Sequence, residues 1–274
     1  MPHRAPTRAR ILLAALLAAV LGVVLVPAAA ASAATRAAPG ATAVHYVALG
    51  DSYSSGVGAG DYDLSTCLRS DRSYAPLWAA QHQVTSFAFP ACGGAVTADV
   101  LNNQLGPLST STTLVTITIG GNDAGFADIM STCRFSSESD CVRRVDEART
   151  FTTTVLPGRL DATYAAIRSR APNARLIVLG YPRLFETGWC GALAMSSTKR
   201  TKINEAADLL ASVTAGRAAA AGATFADTRS YFAGHGVCAS SPWIKDVTGL
   251  IEAYHPNADG YRYGYLPALN AVTG

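Results

Sequence analysis

The stretch VHYVALGDSYSSG, residues 44–56, joins an apolar run to a short polar turn. An apolar run of this length without polar alternation is typical of a strand buried on both faces of a parallel sheet. Gly50-Asp51-Ser52 stands where such a strand ends, ahead of a segment that can open a helix. We therefore predict a buried strand that delivers Ser52 to the edge of a parallel sheet.

Four further apolar runs follow, separated by longer segments with helical periodicity. The predicted strands are 44–49, 84–89, 114–119, 176–179 and 223–226, and the predicted helices are 73–82, 98–103, 141–169, 196–221 and 258–272. Buried strands that alternate with helices indicate an α/β fold, a parallel sheet covered by helices on both faces. Neither a repeat nor a dividing linker interrupts this pattern, so we predict one domain over residues 44–274.

The first 33 residues have the organisation of an export signal. Three arginines precede the apolar run 11–26, and Ala31-Ser32-Ala33 is an A-x-A pattern that places the cleavage after Ala33. Residues 34–43 form a Pro/Gly/Ala-rich tether. The alternative is an uncleaved membrane anchor, because the apolar run approaches spanning length. Cleavage predicts a secreted, extracellular protein without stable membrane insertion.

Removing this segment makes the chain formally neutral. The whole chain has 22 Lys+Arg and 19 Asp+Glu, and the segment carries three arginines and no acidic residue. No basic field then remains to hold nucleic acid or an anionic bilayer by bulk electrostatics. We expect a small-molecule or lipid partner, no nucleic acid, and a monomer.

Six cysteines remain in the exported chain: Cys67, Cys92, Cys133, Cys141, Cys190 and Cys238. An even number in an exported protein predicts disulfides, and six cysteines allow fifteen pairings, of which the sequential one is the simplest. No pair has C-x-x-C spacing and none neighbours histidines in a zinc pattern. We expect three structural bridges, no metal and no cofactor.

Segments rich in glycine and polar residues follow three predicted strands. They are Gly50-Asp51-Ser52, Cys92-Gly93-Gly94-Ala95 and Gly120-Gly121-Asn122-Asp123, and His255-Pro256-Asn257 precedes the last helix. Ligands of open parallel sheets bind outside the carboxyl ends of the strands. A serine hydroxyl needs a histidine base to act as a nucleophile, and N–H donors stabilise the oxyanion that forms. We predict acyl transfer, with Ser52 as nucleophile, His255 as base, and an oxyanion hole of Ser52 N–H, Gly94 N–H and the Asn122 amide.

These four blocks, in this order, resemble those of the SGNH hydrolases, the GDSL lipase/esterase superfamily, and of its secreted bacterial lipases with three disulfides. The resemblance extends from Val44 to the final helix. It implies a flavodoxin-like three-layer α/β/α sandwich with a central, mainly parallel five-stranded sheet. It also implies hydrolysis of carboxylic esters without a metal, and sequential disulfides. Tyr53 replaces the leucine of the family motif.

The group that orients His255 is left open between two alternatives. Glu252 stands where many members of the family have an aspartate, three residues before the histidine. Residues at i and i+3 can share one face of a turn, so the Glu252 carboxylate can reach the imidazole. Some related secreted lipases use a main-chain carbonyl near that position instead, and the second alternative is therefore the backbone carbonyl of Glu252. Geometry decides between the two.

The sequence indicates the type of reaction more clearly than it indicates the substrate. We expect esters with acyl chains of medium length, with phospholipase A1 action, acyl transfer and polysaccharide deacetylation as alternatives. The segment 181–197 is the candidate apolar wall for the acyl chain, with Leu184, Phe185, Trp189, Leu193 and Met195. A nucleotide-binding role is disfavoured because the glycines at 56, 58 and 60 lack G-x-G-x-x-G spacing. A non-catalytic binding module is a further alternative, which an active-serine probe distinguishes from a hydrolase.

Overall fold

A computed structural model of the protein describes residues 43–192, 194–247, 249 and 251–274. The predicted export signal, residues 1–33, and residues 34–42 of the predicted tether lie outside the described residues, as does Leu193 of the predicted acyl wall. The described residues belong to one compact unit.

The strands form a five-stranded sheet in the described part of the chain. They are β1 (Val44–Gly50), β2 (Val84–Ala88), β3 (Leu114–Thr118), β4 (Arg175–Leu179) and β5 (Thr224–Ala226). Their spatial order is β2-β1-β3-β4-β5, and every neighbouring pair is parallel. This is the flavodoxin-like order, in which ligands bind where the strand order reverses, between β1 and β3. The predicted fold class is confirmed, and each strand begins and ends within one residue of its prediction.

The helices lie in two layers around this sheet. They are α1 (Ser52–Ser55), α2 (Tyr74–Gln81), α3 (Thr97–Asp99), α4 (Phe126–Phe135), α5 (Glu138–Thr154), α6 (Leu156–Arg170), α7 (Ser197–Ala220) and α8 (Leu266–Thr273). Two π-helical segments, Val100–Gln104 and Gly260–Tyr265, follow α3 and precede α8.

Side chains alternate along the strands and build one hydrophobic core on each face of the sheet. On one face, Tyr46 and Ala48 of β1 belong to a cluster that includes residues of α2, α4, α5 and α8. On the other face, Val47 and Leu49 belong to a cluster that includes residues of α6. Burial on both faces explains why the three inner strands, β1, β3 and β4, are largely apolar.

The predicted helix 141–169 is in fact two helices, α5 and α6, which meet at Val155. Pro157 has no N–H, and its ring would clash with the carbonyl of Thr153 in a continuous helix. Pro157 is accommodated in the first turn of α6 instead.

Helix α4 was not predicted. It begins after Gly125, which has a φ of 85°, and its residues Phe126, Ile129, Met130 and Cys133 recur at helical spacing. Three of these four side chains are buried. The i, i+3, i+4, i+7 pattern was therefore present in the sequence, and it could have revealed the helix.

Candidate active site

A sharp turn between β1 and α1 presents Ser52. Gly50 has a φ of 124°, and a Cβ added there would lie 2.4 Å from the Thr118 carbonyl oxygen, so the turn requires glycine. Asp51 caps α1 by accepting a hydrogen bond from Tyr53 N at 2.9 Å. Ser52 is the first residue of α1 and lines a cleft at the carboxyl edge of the sheet.

His255 lies beside this serine. Its Nε2 is 2.7 Å from Ser52 Oγ, and its Nδ1 is 2.9 Å from the Ala253 carbonyl oxygen. A carbonyl can only accept a hydrogen bond, so Nδ1 carries the proton and Nε2 is left to accept the Ser52 hydroxyl. This is the tautomer that a general base for Ser52 needs.

The loop that carries His255 is fixed by its neighbours. Tyr254 has a φ of 62°, a left-handed conformation that turns the chain just before the histidine. The Tyr53 hydroxyl donates to the Tyr254 carbonyl at 2.6 Å, and the Tyr53 ring lies 5.1 Å from the imidazole. Tyr53, the residue that departs from the family motif, thus connects the serine turn to the histidine loop.

The imidazole of His255 is buried. Burial lowers the pKa of His255 to about 4, and the hydrogen bonds with the Ala253 and Glu252 backbone offset this only in part. The ring is therefore neutral at physiological pH and available as a base.

The carboxylate of Glu252 has partners other than His255. It accepts hydrogen bonds from Lys245 Nζ at 2.5 Å and from the Tyr62 hydroxyl. The hydrogen bond from Lys245, followed by that from Tyr62, lowers the pKa of Glu252. Of the two alternatives for orienting His255, the geometry favours a main-chain carbonyl, and it corrects the residue: the acceptor is the carbonyl of Ala253, not of Glu252.

The predicted oxyanion donors line the same cleft as Ser52 and His255. Gly94 has a φ of 79°, and a Cβ there would have no neighbour within 4 Å, so its backbone is open to a ligand. Asn122 Nδ2 donates one hydrogen bond to the Ala95 carbonyl at 3.0 Å. An amide nitrogen has a second hydrogen, which can be directed at a substrate.

Two buried carboxyl groups join the segments that carry these donors. Asp123 accepts hydrogen bonds from Thr97 N at 2.9 Å and Thr97 Oγ1 at 2.6 Å, which holds the segment after Gly94 against Asn122. Asp51 accepts from the Tyr181 hydroxyl, whose oxygen accepts from Gly121 N at 3.0 Å. These bonds fix the three strand-end segments relative to one another.

Asp51 itself is completely buried next to Ser52. Burial raises the pKa of Asp51 to about 7, although the hydrogen bonds from Tyr181 and Tyr53 act in the opposite direction. The group therefore changes protonation near neutral pH.

The cleft has a volume of about 430 Å³, and its apolar wall is not the predicted one. Phe126, Met130 and Phe135 of α4 form one side, and residues 247–255 contribute Ile251 and Tyr254. Of the segment 181–197, Leu184, Phe185 and Met195 are buried in the core, and Trp189 is exposed. Leu184 does not line the cleft, but it lines a smaller apolar pocket next to it. The wall was missed because α4 was missed.

Three disulfides join Cys67 to Cys92, Cys133 to Cys141, and Cys190 to Cys238, which is the sequential pairing. The first lies next to the cleft: Gly93 N donates to the Cys67 carbonyl at 2.8 Å, and Leu68 and Gly94 line the cleft. The second joins α4 to α5.

Within the described residues, no three or more His, Cys, Asp or Glu side chains are grouped so that they could hold a metal ion. In the same part of the chain, each helix is too short or too polar to cross a bilayer.

Comparison with known proteins identifies a matching family and several similar proteins. Residues 48–263 match the model of the GDSL-like Lipase/Acylhydrolase family. Lipase 1 of Streptomyces coelicolor is 53% identical over 241 residues, which cover 86% of this chain and 90% of that protein. The crystal structure of phospholipase A1 from Streptomyces albidoflavus NA297 matches with a TM-score of 0.82 and 51% identity, covering 84% of this chain and 99% of that one. That of the extracellular lipase from Streptomyces rimosus matches with a TM-score of 0.82 and 52% identity, covering 84% and 100%.

Proposed function

The chain belongs to the GDSL-like Lipase/Acylhydrolase family, and from this premise we propose that it hydrolyses carboxylic esters through an acyl-enzyme on Ser52. Membership and the close lipase relatives make the protein a carboxylic ester hydrolase. The observation that carries the mechanism is the 2.7 Å contact between His255 Nε2 and Ser52 Oγ, with Nδ1 engaged by the Ala253 carbonyl.

In the proposed first step, Ser52 Oγ attacks the ester carbonyl while its proton moves to His255 Nε2. The negative charge that develops on the carbonyl oxygen is stabilised by Ser52 N–H, Gly94 N–H and Asn122 Nδ2. Collapse of this intermediate breaks the bond to the alcohol, which takes the proton from Nε2. Water then repeats the sequence on the acyl-enzyme, with His255 again as the base, and releases the acid and free Ser52.

The imidazolium formed in each half-reaction is held by the Ala253 carbonyl dipole. A carbonyl carries only a partial negative charge, so it fixes the ring orientation and stabilises the cation less than a carboxylate would. Two bonds to the His255 segment support this arrangement: His255 N donates to Glu252 O at 3.2 Å, and Lys245 N donates to His255 O at 2.9 Å.

Substitution of Ser52 by alanine tests this proposal. Ser52→Ala removes the nucleophile but little buried volume, so kcat/KM on a p-nitrophenyl butyrate should fall by at least ~10⁴-fold while the melting temperature changes little. A fluorophosphonate should label the wild type and not this variant. Ser212→Ala, at an exposed serine of α7 that does not line the cleft, is the matched control and should keep both activity and labelling. Comparable turnover by Ser52→Ala would reject the assignment.

A phospholipid substrate is a second candidate within the same chemistry. It is favoured by the 51% identity to the phospholipase A1 of Streptomyces albidoflavus. Release of fatty acid from phosphatidylcholine vesicles, lost in Ser52→Ala, would establish this activity.

We also propose that the protein is exported, with residues 1–33 removed, and that it acts as a monomer. Its three disulfides suit an oxidising compartment, and a relative from Streptomyces rimosus is an extracellular lipase. N-terminal sequencing and light scattering of the protein from culture medium test these two statements.

A further inference from the structure

A second apolar pocket, of about 70 Å³, lies against the cleft. Phe126 and Met130 line both the cleft and this second pocket, so these two residues form the wall between them. Tyr53 and Gly121, the chain neighbours of Ser52 and Asn122, also line the second pocket. We propose that it is the binding site for the distal carbons of the acyl chain, an inference that rests on the proposed esterase function.

The lining of the second pocket suits a hydrocarbon. Among the described residues that line it, none is charged, and three carry hydroxyl groups that already have partners in the protein. Tyr53 donates to the Tyr254 carbonyl at 2.6 Å, Thr152 donates to the Ala148 carbonyl at 2.8 Å, and Tyr181 donates to Asp51. Such a pocket offers neither the polar partners that hold ordered water nor groups that recognise a polar ligand.

The cleft holds the reacting groups, since Ser52, Asn122 and His255 line it. Much of its remaining lining is apolar, including Phe126 and Met130. The ester group therefore lies in the cleft, and its acyl chain can pass Phe126 and Met130 into the second pocket. An apolar chain gains free energy by entering a pocket without charged groups.

The wall between the two spaces can move. Met130 has an unbranched, flexible side chain that adapts its shape to a ligand. Phe126 is only half-buried and is the first residue of α4, after the left-handed Gly125. Its ring packs edge-on against the ring of Tyr53, with the two centroids 6.2 Å apart. Because Tyr53 follows Ser52 in the chain, a small displacement of the Phe126 ring opens the second pocket beside the reacting serine.

The size of the second pocket sets the expected effect. Its volume is several times the ~10–15 Å³ that one water-sized probe occupies, which provides room for a few methylene groups. Each methylene that enters should raise kcat/KM by about fourfold, which corresponds to ~0.8 kcal/mol per buried CH₂.

Filling the second pocket tests the proposal. Ala206 and Ala207 of α7 line the second pocket, and they are far in the sequence from Ser52 and His255. In Ala207→Phe, kcat/KM on p-nitrophenyl dodecanoate and palmitate should fall by at least ~tenfold, while kcat/KM on the butyrate ester stays within twofold of wild type. Ala219→Phe, at an exposed alanine of the same helix, is the matched control and should leave the whole chain-length profile unchanged.

Two results would overturn the proposal: an unchanged chain-length profile in Ala207→Phe, or an equal loss on all esters in a folded protein. If Ala207→Phe does not fold, Ala206→Leu is used in the same assay with the same expectation. A crystal structure of the wild type labelled with a hexadecyl phosphonate gives a direct answer, because the chain must lie past Phe126 and Met130 and not along Phe135 and Ile251. Activity retained by Ser52→Ala would instead reject the esterase mechanism itself, so the two failures are distinguishable.

Discussion

At the scale of single residues, the site depends on a histidine that is both buried and oriented by a carbonyl group. The hydrogen bond from His255 Nδ1 to the Ala253 carbonyl sets the tautomer, and burial keeps the imidazole neutral. A charged partner would favour the imidazolium and raise the pKa, whereas a carbonyl does so much less. The pH dependence of activity therefore reports which kind of group faces Nδ1.

The first prediction concerns this pH dependence. The base must be neutral, so kcat/KM on an uncharged ester should decrease only as the pH falls toward the His255 pKa of about 4, well below the ~6.5 of an ordinary histidine. Initial rates over acid and neutral pH, with stability checked at each pH, measure this limb. The Asp51 pKa lies at about 7, so protonation of Asp51 can also change the activity. The same pH profile is therefore measured in Asp51→Asn, in which only a decrease due to His255 persists. A wild-type limb near pH 6.5 that persists in Asp51→Asn would contradict the prediction.

The pKa shifts of His255 and Asp51 also make the stability of the fold depend on pH, and the two groups act in opposite directions. The folded-state pKa of His255 lies below its unfolded value, so protonation favours unfolding and stability decreases as the pH falls from about 6.5 toward 4. The folded-state pKa of Asp51 lies above its unfolded value of 3.8, so its contribution is lost as the pH rises from there through about 7.

The second prediction separates the two ways of orienting His255. In Glu252→Gln, the Ala253 carbonyl still accepts from Nδ1, so kcat should fall by less than about tenfold. The lost ion pair with Lys245 is partly exposed and contributes ~0–1 kcal/mol to stability. Steady-state kinetics and thermal melting check this, with His255→Ala as an inactive reference. A loss of several hundredfold at an unchanged melting temperature would instead identify Glu252 as the acid of a triad.

At the scale of elements, the turn from β1 into α1 is the part of the fold that places Ser52, the proposed nucleophile. Gly50 is required there for two reasons: its φ is 124°, and a Cβ would overlap the Thr118 carbonyl of β3. The neighbouring strand thus approaches the turn so closely that no side chain fits.

The third prediction follows from this close approach. Gly50→Ala should lower the free energy of unfolding by at least ~2 kcal/mol, through backbone strain and the overlap with Thr118. Gly216→Ala is the control: Gly216 lies inside α7 with open space around it, and alanine there should raise the free energy of unfolding by ~0.5–1 kcal/mol. Urea unfolding of both variants measures the difference. Wild-type stability in Gly50→Ala would show that the turn can relax.

The elements also show what the sequence could predict. The strands were predicted to within one residue because their apolar runs stand between more polar segments, and the places of Ser52, Gly94 and Asn122 after strand ends bring them to one cleft. Helix α4 was missed, although its apolar residues recur at helical spacing, because it follows directly on the Asn122 segment. The partner of His255 could not be predicted, because the left-handed turn at Tyr254 decides which carbonyl meets Nδ1.

At the scale of the whole molecule, the site lies where the sheet order reverses between β1 and β3, and segments distant in the chain converge there. Hydrogen bonds of Asp51 and Asp123 connect these segments on the inside. The bridge between Cys67 and Cys92 restrains one of them from the outside, since Cys92 N donates to Gly50 O at 3.0 Å and Gly93 follows it into the cleft. The bridge between Cys190 and Cys238 joins cysteines that do not line the cleft.

The last prediction uses this contrast between the two bridges. Their sequence separations are 25 and 48 residues, so loop-closure entropy gives them similar contributions to stability, about 3.5 and 4 kcal/mol. All four cysteines are partly buried, which makes the alanine double variants comparable. Loss of the first bridge should also displace the Gly94 N–H, and because misplaced oxyanion donors act on the transition state, kcat on the butyrate ester should fall about ten- to hundredfold with little change in KM.

The Cys190→Ala, Cys238→Ala double variant is the control and should lose stability but keep a kcat near that of the wild type. Kinetics are measured well below both melting temperatures, so that the fraction of unfolded protein does not enter kcat. If the two double variants have equal kcat values, the bridge between Cys67 and Cys92 serves stability alone, and the hydrogen bonds of Asp51 and Asp123 are sufficient to hold the oxyanion hole.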